Sequence, residues 1–85
     1  MPNFHTALEA SRVLDEYKIQ LKSMNYNKDL RKLLQNCEKL MGILGSAEVR
    51  ARQLHKPYLA NKPREELTKA MDYFEKMLIL AKLMD

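Results

Sequence analysis

Glycine occurs twice in this chain, proline three times, cysteine once and tryptophan not at all. So few glycines and prolines exclude collagen-like and low-complexity classes. The lone Cys37 excludes a disulfide scaffold and agrees with a reducing compartment, cytoplasmic or nuclear. Long hydrophobic runs are missing too. The longest covers residues 77–81, far short of the ~20 residues that span a bilayer. The opening Met1-Pro2-Asn3-Phe4-His5-Thr6 has neither the basic cluster nor the apolar run of a secretory signal, and neither end carries a lipidation signal. The expectation is an intracellular protein that does not engage a membrane.

The constellations of catalysis are equally scarce. The chain has two histidines, His5 and His55, and lacks HExxH, a glycine-rich phosphate loop, GxSxG and closely spaced Cys or His ligands. Cys37 sits between Leu34 and Leu40 on an apolar stripe, where a thiol is a small buried hydrophobe whose pKa burial raises. The carboxylate neighbours Asp15-Glu16 and Glu65-Glu66 point about 100° apart on a helix and make no acid–base dyad. No catalytic residue, metal ligand, cofactor or small-molecule substrate is expected.

What the sequence does have is apolar residues at helical spacing. They make up 46% of 85 residues, enough to favour folding as one domain over residues 1–85. Ala7, Ala10, Leu14, Tyr17, Leu21 and Met24 recur in steps of three and four, which puts them on one face of a helix over 4–24. Thr6 and Glu9 have the spacing of a capping box, and Asn25-Tyr26-Asn27 reads as the break. Leu30, Leu33, Leu34, Cys37, Leu40, Met41 and Leu44 stripe a second helix that Gly45 is expected to end. Gly42 falls one turn early. Ser46 then caps a short third helix over 47–56, which Pro57 stops.

Residues 57–62 read as a connector, and Pro63 suits the first turn of a fourth helix with Glu65 and Glu66 beside its positive end. Leu67, Ala70, Met71, Phe74, Met77, Leu78, Ala81 and Met84 form its broad face. Nothing alternates with period two. The sequence therefore predicts an all-α fold, a small antiparallel bundle of four helices with the third one short.

Two surfaces stand out. Residues 49–64, VRARQLHKPYLANKPR, contain Arg50, Arg52, Lys56, Lys62 and Arg64 and no acid, within a net charge of +4. Such a run attracts acidic protein surfaces or phosphates. Near its C-terminus the fourth helix is apolar nearly all round, with Ile79 and Leu83 opposite the main face and Leu80 between. Three neighbouring helices are too few to cover it. The reading that follows is a protein–protein interaction or regulatory module without chemistry of its own. It uses Met77, Ile79, Leu80, Leu83 and Met84 to bind another protein or a second copy, and the basic segment to select an acidic surface. The alternative is a nucleic-acid-binding protein with a helix-turn-helix-like element at 44–54. There Val49 and Leu54 would face inward, and Arg50, Arg52 and Gln53 would reach bases.

Overall fold

The computed structural model describes residues 3–24 and 27–84. It is all-helical, with three α-helices, α1 (Ala7–Lys22), α2 (Lys28–Leu54) and α3 (Asn61–Met84), and a 3-10 turn (Pro57–Ala60) between the last two. Four helices were expected; the described residues form three. The second and third predicted helices are one continuous α2 of 27 residues.

Gly45 does not end α2, because no glycine of the described chain has positive φ. The apolar stripe explains why the helix continues. Leu30, Leu34, Cys37, Leu44 and Ala51 are all buried. The step from Leu44 to Ala51 is seven residues, two turns on the same face, and it carries the stripe across both glycines. Each helical glycine costs about 1 kcal/mol against alanine, less than the buried contacts and backbone hydrogen bonds lost if the helix stopped at Gly45.

The helix ends at His55, which adopts the left-handed conformation (φ 54°, ψ 39°). Lys56 N–H donates to Ala51 C=O at 2.9 Å, and His55 N–H donates to Arg52 C=O at 3.2 Å. This is a Schellman closure with histidine in the position glycine prefers.

At the other boundaries, α1 begins at Ala7 rather than residue 4. Thr6 is its N-cap, and its hydroxyl accepts from Glu9 N–H at 3.1 Å. The Glu9 carboxylate accepts from His5 N–H, one residue before the expected Thr6. Phe4 lies outside the helix and is buried. Asn27 caps α2 by accepting from Leu30 N–H; Asn25 and Tyr26, the rest of the expected break, lie outside the described residues. The expected connector is mostly helical. Pro57 opens the 3-10 turn, and α3 starts at Asn61, so Pro63 stands in its first turn and Glu65 and Glu66 come after it.

The rod measures 47 × 17 × 17 Å. Helix α2 packs along both neighbours. The core is built from Leu14 and Tyr17 of α1, Leu34, Cys37 and Leu44 of α2, and Leu67, Met71, Phe74 and Leu78 of α3. Helices α1 and α3 meet where the Tyr17 and Phe74 rings lie 5.2 Å apart and Tyr17 O–H donates to Glu75 Oε2 at 2.6 Å. Lys82 Nζ also donates to Gln20 Oε1. Across the α1–α2 seam, Lys18 pairs with Glu38 at 2.9 Å.

Candidate protein-interaction surface

An open groove of about 830 Å³ runs between the N-terminal half of α2 and the C-terminal half of α3. Leu30 and Leu33 of α2 and Tyr73, Met77, Leu80 and Met84 of α3 supply most of its apolar wall. Beside it, Leu30 of α2 and Leu78 of α3 are buried in the common core. The next side chains round each helix are left only partly covered, since a three-helix bundle has no fourth helix to lay over them. Tyr73 and Leu80 are each about half exposed (52% and 51%), and Met84 is 88% exposed. Among the described residues, the charged ones lining the groove are Asp29 and Lys32.

Of the five apolar residues singled out in the sequence, the structure brings three together here: Met77, Leu80 and Met84. Met84, on the broad face of its helix and expected to contact a partner, stands in the last turn of α3 and is open to solvent. Ile79 and Leu83 do not line the groove. They occupy the next strip of α3, with Asp72 and Lys76, which form an i,i+4 ion pair at 3.5 Å. Both are open to solvent, Leu83 at 78%. Tyr73 and Leu33 went unnoticed as partners of this surface. Their signal was helical position, because Tyr73, Met77, Leu80 and Met84 follow one another in steps of three and four.

The basic residues gather at the opposite end of the rod, around the C-terminus of α2 and the N-terminus of α3. Arg50, Arg52, Lys56 and Lys62 are exposed. They do not form one flat patch, because residues two apart on a helix point away from each other. Arg52 shares a groove of about 560 Å³ with His55, Pro57, Ala60 and Arg64, while Arg50 is not among its lining residues. Arg64 is partly buried and engaged. Its Nε donates to His5 C=O at 2.7 Å and its Nη1 to Asn61 Oδ1 at 3.2 Å, which ties the N-terminal segment to α3.

The helix-turn-helix expectation fails on geometry. Residues 44–54 are unbroken α2, and Val49 and Leu54 are half exposed rather than inward-facing. Glu48, within the same stretch, accepts from Ala7 N–H at the start of α1.

Cys37 is 1% exposed. Burial, then the neighbouring Glu38 carboxylate, pushes its thiol up to about 11. It lies on the same helix as His55 and about 27 Å from it. No group of His, Cys, Asp and Glu suited to a metal ion occurs among the described residues, and no helix there is long and apolar enough to cross a membrane. No protein-family profile matches the chain, and no curated protein or solved structure matches it either.

Proposed function

We propose that this protein is a non-enzymatic helical interaction module whose contact surface is the groove between α2 and α3. The observation that carries the reading is the half-exposed Tyr73 and Leu80 beside Leu33 and Met77 in one open groove. Burying aromatic and aliphatic anchors of this kind in a partner is the main source of affinity at protein interfaces. The exposed Arg50, Arg52, Lys56 and Lys62 at the far end favour approach by acidic surfaces and make the encounter sensitive to salt. Ile79 and Leu83 extend the apolar area at the tip of α3 without lining the groove.

The test is a photo-crosslinking side chain placed at position 80 and, as a control, at position 8, where Leu8 is exposed on α1. Position 80 is expected to give discrete adducts in cells that position 8 does not, and Tyr73→Glu should remove them. Equal labelling at the two positions would remove the groove from consideration. Retention of duplex DNA that is lost on changing Arg50 and Arg52 to glutamate would shift the reading toward nucleic acid.

A further inference from the structure

His55 closes α2 with a left-handed backbone, φ 54°, which glycine adopts without penalty and a residue with a side chain does not. The imidazole kept there despite the strain lines the groove of about 560 Å³ at the basic end of the rod, together with Arg52 of α2 and Arg64 of α3. Strained backbone of this kind clusters at ligand-binding positions. Ala51 and Ala60, both buried, line the same groove, and their small side chains leave the space open.

We infer that this groove is a binding site for a phosphate monoester, held by Arg52, His55 and Arg64. It lies at the opposite end of the rod from the α2–α3 groove and does not rest on the reading of that surface.

Charge fixes the sign of the ligand. Two guanidiniums share the groove with one carboxylate, Glu48, and that carboxylate already accepts from Ala7 N–H. Among the described residues no carboxylate pairs with Arg52 or Arg64. Arg50, Lys56 and Lys62 are exposed at the same end, and residues 49–64 contain no acid, which raises the local concentration of anions.

The number of donors separates phosphate from carboxylate. One guanidinium fork satisfies both oxygens of a carboxylate, whereas a phosphate monoester presents three acceptor oxygens and nearly two negative charges. Two guanidiniums and an imidazole, from the end of α2 and the start of α3, suit the second. Arg64 is also ordered in advance. Its bonds to His5 C=O and Asn61 Oδ1 use two of the five guanidinium N–H donors and fix its plane, so less freedom is lost on binding. The groove's volume falls within the roughly 300–1,000 Å³ of small-ligand sites, which leaves room for the group that carries the ester.

Two-dimensional ¹H–¹⁵N spectra of the full chain, titrated at constant ionic strength with inorganic phosphate, a short phosphoserine peptide and adenosine monophosphate, test this. The Arg52 and Arg64 Nε–H signals and the His55 and Lys56 amides are expected to move together, with a Kd for inorganic phosphate of about 1–10 mM. Aspartate should bind at least about tenfold more weakly. Arg52→Gln should weaken phosphate binding at least about tenfold, and Arg50→Gln, which removes the same charge outside the groove, less than about twofold. His55→Gly separates binding from folding: it should weaken phosphate binding while the thermal midpoint stays level or rises. Either order of peptide and nucleotide supports the site, the tighter one telling whether the phosphate comes from a modified partner protein or a free metabolite. Equal losses for Arg50→Gln and Arg52→Gln, aspartate binding as well as phosphate, undiminished binding by His55→Gly, or no shift at about 50 mM phosphate overturns the inference.

Discussion

The Glu48 carboxylate accepts from the backbone N–H of Ala7 at 3.2 and 3.3 Å to its two oxygens, so the C-terminal half of α2 caps the start of α1. Thr6 already satisfies Glu9 N–H in the same turn, and Glu48 adds the acceptor that Ala7 needs. A carboxylate at a helix N-terminus also meets the positive end of the helix dipole. Glu48→Ala is therefore expected to destabilise the fold by about 1 kcal/mol, and Glu48→Gln, which keeps an acceptor oxygen, by about half that. Urea denaturation measures both, and equal losses for the two would deny the charge any part.

Gly42 is a stabilising mutation waiting to be made. It lies within α2, it is exposed, and a Cβ built on it meets nothing within 4 Å. Gly42→Ala should raise stability by about 1 kcal/mol through helix propensity alone. At Gly45 the added Cβ would stand 3.6 Å from the Cβ of Ala7, an ordinary contact, so Gly45→Ala should also stabilise. Thermal melts that fall rather than rise would show that α2 bends or loosens at these glycines.

These glycines mark the limit of reading the sequence locally. The faces of all three helices were legible, since Leu14 and Tyr17, Leu34 and Cys37, and Leu67, Met71, Phe74 and Leu78 are buried as their spacing predicted. The length of α2 was not, because a glycine's cost is local while the compensating burial of Leu44 and Ala51 needs partners from other helices. The Glu48 cap spans 41 positions of sequence, and no local pattern encodes it. Likewise the apolar end of α3 was visible, but its division into a groove strip with Leu80 and an outer strip with Ile79 depends on where α2 lies against it.

His55 occupies the left-handed region at φ 54°, where a side chain costs roughly 1 kcal/mol and glycine costs none. His55→Gly should therefore stabilise by about 0.5–1 kcal/mol, offset slightly by the greater freedom of glycine in the unfolded chain. The Lys56 N–H bond to Ala51 C=O predicts that amide to be protected from hydrogen exchange. A destabilised His55→Gly would mean that the imidazole makes a contribution larger than the backbone strain.

The pH dependence of stability has a definite sign in the alkaline range. Burial and Glu38 raise the Cys37 thiol from its ordinary 9.0 to about 11, so the folded state holds this proton where the unfolded chain has released it. Its contribution is fully present below pH 9 and is lost as pH rises through about 11, with roughly 2 kcal/mol at stake. The Tyr17 phenol is raised as well, by burial first and then by its hydrogen bond to Glu75. It adds a loss of the same sign that begins above pH 10. Denaturation midpoints taken from pH 8 to pH 11 should decline, and Cys37→Ala should flatten the decline between 9 and 11 whatever its effect at neutral pH. Thiol labelling at pH 8 should be slow in the folded protein and fast in urea. Rapid labelling without denaturant would mean that Cys37 is reached through local opening and that the slope has another origin.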